Sequence, residues 1–223
     1  MEQTKYEEEV QYRGYNKYFV TILLGVINIL IFIYTFFIPE NYYFTGGINY
    51  QCIIENKEYY RFFTSMFLHA DISHIFMNML ALFTAGTLVE SYLGSFKTAL
   101  IYFISGFGGS ILSLLVPDTE IMSFSLGASG AIFGLLVASA IIENKKAGKS
   151  MIRAIGFVIV YAVLTWSEGI DLTAHLGGAI AGAVATLICC IGFEEDYIEK
   201  KLGIILGILV TLVISVIAVM YIL

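Results

Sequence analysis

The sequence has little charge, almost no proline and few cysteines, and each shortage removes a class of protein. Charged residues make up 13% of the 223 residues and the net charge is −6, so the basic footprint that nucleic-acid binding requires is missing. Two prolines leave no room for a proline-rich linker or a disordered low-complexity tract. Three cysteines cannot frame a disulfide-stapled domain. Cys52 falls in a loop, while Cys189 and Cys190 end an apolar run, and all three read as small apolar filler. The first eighteen residues carry Glu2, Glu7, Glu8 and Glu9, whereas a mitochondrial presequence is Arg-rich and poor in acids. An organelle transit signal is not expected.

What is abundant is apolar: 58% of the chain, which marks a membrane protein. About 20 apolar residues cross a bilayer, and that ruler picks out residues 18–38, 73–92, 96–116, 127–142, 152–166, 172–193 and 202–223. The first run is too long for a signal-peptide core and has no small-residue cleavage site after it. The expected layout is a tail at 1–17, a membrane core at 18–193, a loop at 194–201 and a last helix at 202–223. With the N-terminus cytoplasmic, ten lysines and arginines lie inside and only Lys57 and Arg61 outside, the bias found for cytoplasmic loops. The C-terminus is then outside. The loop at 39–72 has no spanning run but holds Tyr42, Tyr43, Phe44, Tyr59, Tyr60, Phe62 and Phe63. Such aromatics prefer the headgroup zone, so the loop is expected partly in the outer leaflet, as an anchor for the helices or as a functional element.

Chemistry concentrates where helices start near the outer surface. Gly127-Ala128-Ser129-Gly130 opens the fourth apolar run, His175 opens the sixth, and His74 and Asn78 open the second. All four polar side chains therefore share one depth. Glycines at 127, 130 and 134 permit close approach of a neighbouring backbone, and Gly178 and Gly182 lie on the face of His175. A seam of small residues between the fourth and sixth helices would bring the imidazole to Ser129. That pair suits a nucleophile activated by a general base. Oxyanion donors would be the Ser129 backbone N–H, the Asn78 amide and the His74 ring, with Phe133 stacked under the imidazole. Asp171, one turn before His175, is expected to cap the sixth helix and not to complete a triad. Glu90 reads as a structural hydrogen-bond acceptor near the inner end of the second helix. No metal and no cofactor is called for: there is no His-Glu-x-x-His, and His69 and His74, five apart, would face different sides of a helix. No helix interior offers the paired aspartates of an aspartyl protease.

These residues resemble the rhomboid intramembrane serine proteases across about residues 55–185. Gly127-Ala128-Ser129-Gly130 is similar to that family's Gly-x-Ser-Gly, and His74-Ile75-Phe76-Met77-Asn78 to its His-x-x-x-Asn. Ala174-His175-Leu176-Gly177-Gly178 resembles its second catalytic element, Tyr60-Arg61 its Trp-Arg pair, and Gly86-x-x-x-Glu90-x-x-x-Gly94 its second-helix motif. The resemblance implies an all-α membrane protein with a six-helix rhomboid core plus one additional C-terminal transmembrane helix. It implies Ser129 as nucleophile, His175 as general base and acid, and oxyanion contacts from His74 and Asn78, with Gly127, Phe133 and Gly178 in support. Partners would be single-pass transmembrane substrates in the lipid bilayer, cut near the outer face of the cell membrane.

Overall fold

A computed structural model describes residues 18–37, 42–116, 124–147 and 171–191. These form five long helices: α1 (Phe19–Phe36), α2 (Ile72–Leu93), α3 (Ser95–Leu115), α4 (Ser129–Ala147) and α5 (Leu172–Ile191). No strand runs through the described residues; one isolated antiparallel bridge joins Ile48 to Ser125. α1, α2, α3 and residues Leu172–Cys190 of α5 are each long and apolar enough to cross a membrane, and Ser129–Asn144 of α4 is a shorter apolar helix. The expected helices at 152–166 and 202–223 lie outside the described residues, as do the tail at 1–17 and the loop at 194–201.

Each helix start has a local cause. Asp71 sits in extended backbone and its carboxylate accepts from the His74 amide at 2.8 Å, starting α2. Residues Leu82–Gly86 widen α2 by a π turn, beside which Thr84 and Thr87 donate to the Leu80 and Phe83 carbonyls. Local hydrogen bonding of this kind bends a helix. Gly94, at φ +80°, separates α2 from α3, a turn that side chains with a Cβ rarely adopt.

Glu90, 3% exposed, accepts from the Val20 amide at 2.9 Å, the Thr21 amide at 2.8 Å, the Thr21 hydroxyl at 2.7 Å and the Ser95 hydroxyl at 2.6 Å. It thereby caps the start of α1 with the end of α2, supplying acceptors to amides that a helix terminus leaves orphaned. The acceptor role read from the sequence holds, and the donors it serves are on α1 and at the start of α3.

The core lies between α2, α3, α4 and α5, around Leu82, Val89, Ile101, Tyr102, Ile132, Leu135 and Leu136. α5 packs chiefly on α3 and α4. Its outward stripe of Leu172, Leu176, Ile180, Val184 and Leu187 is exposed, the apolar face that a bilayer accepts.

The long loop is built, not extended. It contains short helices at Tyr42–Gly46, Tyr50–Ile54 and Arg61–Thr64 and a turn at Ser65–Phe67. Arg61, 2% exposed, donates from Nη1 to the Gly47 carbonyl at 2.9 Å and pairs with Glu58 at 2.5 Å. The Arg61 bond first, and a bond from the Tyr60 hydroxyl second, lower the Glu58 carboxyl below its ordinary value. Tyr59, Tyr60 and Phe63 are exposed, and Phe63 stacks on Phe103 of α3 with ring centroids 5.8 Å apart. The loop thus presents aromatics outward while leaning on α3.

Candidate active site

Ser129 is the first residue of α4, so its own amide and the next few have no acceptor within the helix. Gly127 precedes it at φ +126°, and its amide donates to the Ser65 carbonyl at 2.9 Å. Ile48 and Ser125 exchange two backbone bonds, 2.7 and 2.9 Å. The approach to the serine is therefore pinned to the outer loop at two points.

The base candidate is pinned by a second cap. Asp171 precedes α5, and its Oδ1 accepts from the Ala174 amide at 2.8 Å and the Thr173 hydroxyl at 2.6 Å. His175, one turn in, is 9% exposed. Its Nε2 lies 2.9 Å from Ser129 Oγ. Phe133, one turn after Ser129 on the same face of α4, stacks on the imidazole with centroids 4.3 Å apart and planes 21° apart. The serine, the histidine and the phenylalanine that the sequence singled out are thus in direct contact.

Small residues make this contact possible. A Cβ built on Gly178 would lie 2.0 Å from the Gly130 carbonyl oxygen, and one on Gly182 would lie 2.3 Å from Gly134 Cα. These are backbone atoms that no rotamer change can move, so α4 and α5 meet at a distance only glycine allows. The third wall is α3, where a Cβ on Gly109 would lie 2.6 Å from the Ala174 carbonyl oxygen.

His74 reaches the site from α2. The Ala70 amide donates to its Nδ1 at 3.3 Å, which places the proton of the neutral ring on Nε2. That Nε2 would be 2.8 Å from a Cβ on Gly127, and Ser129 Oγ would be 3.7 Å from the same point. An N–H donor is therefore aimed at the Gly127–Ser129 turn. Asn78 follows one turn along the same face of α2 and is 1% exposed.

His69 departs from the sequence reading. The expectation that His69 and His74 face apart assumed one helix; the chain between them is non-helical up to the Asp71 cap. Their rings meet edge to face with centroids 5.0 Å apart. His69 is fully buried, the Tyr42 hydroxyl donates to its carbonyl at 2.9 Å, and it forms the back wall of His74. Ser113, Ser125 and Ser65 also brace the site. No local pattern in the sequence marks them, because each acts through a partner distant in the chain.

The Rhomboid domain model matches residues 56–192, more than half of the chain. The chain belongs to the rhomboid family. It is a multi-pass membrane protein of that family, and its rhomboid domain holds Ser129, His175, His74 and Asn78. RHOMBOID-like protein 6, mitochondrial, of Arabidopsis thaliana is 37% identical over 157 residues, covering 66% of this chain and 47% of that protein. Rhomboid protease AarA of Providencia stuartii is 28% identical over 200 residues, covering 75% of this chain and 71% of its own. Inactive RHOMBOID-like protein 8 of Arabidopsis thaliana is 35% identical over 142 residues, 61% of this chain and 40% of that one. The chain spans about half the length, or less, of these two plant relatives.

Proposed function

We propose that this rhomboid is an intramembrane serine endopeptidase that cuts transmembrane segments of membrane-anchored proteins near the outer face. The observation that carries the reading is the 2.9 Å contact between Ser129 Oγ and His175 Nε2, inside the range a general base needs. His175 takes the serine proton as Oγ attacks the peptide carbonyl, then returns a proton to the departing amine. Phe133 holds the imidazole plane during both transfers. The charge that develops on the carbonyl oxygen is met by the His74 Nε2–H, the Asn78 amide and the Ser129 backbone N–H. Both Asp171 carboxylate oxygens accept from other donors, which supports reading the catalytic unit as a dyad.

The substrate follows from the depth of the site. Ser129 and His175 begin apolar helices, so the scissile bond belongs to a chain already in the bilayer. An intact helix shields its peptide bonds by hydrogen bonding, so the substrate unwinds locally before attack. Single-pass proteins with a helix-destabilising stretch fit that need. The positive-charge bias supports an N-terminus on the cytoplasmic side of the cell membrane and a C-terminus outside. The resemblance to the rhomboid family supports reading the segment at 152–166 with the loop after Trp166 as the lateral gate and 202–223 as the added helix, both outside the described residues.

A second reading is a non-catalytic binder of transmembrane clients, favoured by the resemblance to a relative named inactive. Purified protein in liposomes with a single-pass reporter separates the two. The protease reading expects one cut in or beside the outer end of the reporter helix, located by mass spectrometry and lost in Ser129→Ala. An intact reporter that still co-purifies with wild type supports the binder.

A further inference from the structure

The cap on α5 does more than start a helix. The Oδ1 of Asp171 serves the Ala174 amide and Thr173, while its Oδ2 accepts a hydrogen bond from Ser113 in the last turn of α3. Burial works against ionisation of Asp171, and the bonds from Ser113, Thr173 and the Ala174 amide, helped by the Ser125 side chain nearby, outweigh it, leaving the carboxyl below its ordinary value. Ser125 is also the residue whose backbone bridges to Ile48, four positions before Ser129. One carboxylate therefore joins two separate pieces of chain: the end of α3 and the first turn of the helix that carries His175.

We propose that Asp171 is a positioning residue, tied to α3 through Ser113, that sets where His175 stands relative to Ser129. Its consequence for turnover rests on the dyad reading above; its consequence for the place of the imidazole does not. The geometry gives the reason a cap alone is insufficient. A cap needs one carboxylate oxygen aimed at the amides of its own helix, whereas the second oxygen here is committed to a different helix. Near the dyad end, α5 meets α4 through the glycines at 130, 178 and 182, which allow close approach but offer no side chains to interlock at that seam. A bond from Ser113 to the α5 cap supplies axial register. Loss of register by a fraction of an ångström misaligns proton transfer, and a displacement of about 1 Å costs about a hundredfold in rate.

Ser113→Ala is the informative variant because it leaves the cap and all of α5 untouched. Cleavage of a single-pass reporter is expected to show kcat lowered about tenfold with KM nearly unchanged, and Ser113→Thr, which restores a hydroxyl, is expected to recover it. Asp171→Asn keeps an N-cap of equal quality and separates capping from the ties. A readout independent of activity comes from NMR of protein labelled with 15N at its three histidines, with His175 assigned by His175→Gln. The His175 ring signals are expected to move in Ser113→Ala and return in Ser113→Thr. Ring signals identical to wild type in Ser113→Ala and Asp171→Asn overturn the positioning role and reduce Asp171 to a cap. Signals that move in a wild-type background that cleaves nothing sustain it, and count against the protease reading alone.

Discussion

Gly178 of α5 and Gly130 of α4 meet backbone to backbone, so closely that a methyl group on Gly178 would lie 2.0 Å from the Gly130 carbonyl oxygen. Gly130 follows the serine and Gly178 lies three residues past the histidine, so any wedge at this point parts Ser129 from His175. Gly178→Ala is expected to lower the melting temperature, with an overpacking cost of about 1–3 kcal/mol. The same substitution is expected to reduce cleavage by about a hundredfold or more. Thermal unfolding in detergent and reporter cleavage check both. Full activity with Ala at 178 would contradict the close seam.

Glu90 holds the start of α1 to the end of α2 through three hydrogen bonds and takes a fourth from Ser95 of α3. Glu90→Ala strands two α1 amides and is expected to cost about 2–4 kcal/mol, while Glu90→Gln, which keeps an acceptor, is expected to cost about half as much. Denaturant titration in mixed micelles measures the difference. Because Glu90 contacts neither Ser129 nor His175, the folded fraction of either variant is expected to keep near wild-type KM.

Acid is expected to loosen the site through His69. Burial first, and the neighbouring His74 ring second, hold its imidazole down at about 3, with the Phe67 backbone acting weakly the other way. The unfolded chain takes up this proton near the ordinary 6.5, and the folded protein takes it up only near 3. Between those values the unfolded state binds more protons, so stability rises with pH across that window and falls as pH drops through it. His69→Phe is expected to flatten the fall between pH 6.5 and 4 by up to about 1.4 kcal/mol per pH unit. Melting curves at several pH values decide the matter, and equal slopes for variant and wild type would remove His69 from the account.

The outer loop is tied to the serine by a short relay: Arg61 holds the Gly47 carbonyl, and Ile48 next to it pairs with Ser125. Arg61→Lys keeps the charge but not the fork that reaches Glu58 and Gly47 together. It is expected to increase limited proteolysis within residues 42–64 and to lower turnover several-fold. Unchanged proteolysis in that variant would mean the loop is held by its aromatics alone.

The sequence made the meeting of Ser129 and His175 legible because the residues around them are periodic. Ser129 with Phe133, His74 with Asn78, and His175 with Gly178 and Gly182 each lie a turn or two apart on one helix, and helical spacing alone puts each set on one face. Equal depth followed from the alternation of spans. The cap role of Asp171 was legible from its place before an apolar run, as was the acceptor role of Glu90 from its isolation within one. What spacing could not carry is contact between distant segments without regular structure. The meeting of His69 with His74 depends on a non-helical stretch ending at Asp71, and the Ile48–Ser125 bridge joins residues 77 positions apart. Ser113 looked like any intramembrane serine, since nothing in its neighbours announces a bond to Asp171.

The central claim is that Ser129 is a nucleophile made reactive by His175. A fluorophosphonate probe, applied to purified protein in lipid, measures this without any substrate. Wild type is expected to be labelled at Ser129, with Ser129→Ala unlabelled and His175→Ala labelled at least about a hundredfold more slowly. Wild-type protein that stays unlabelled in lipid, or His175→Ala that labels at the wild-type rate, would contradict the account.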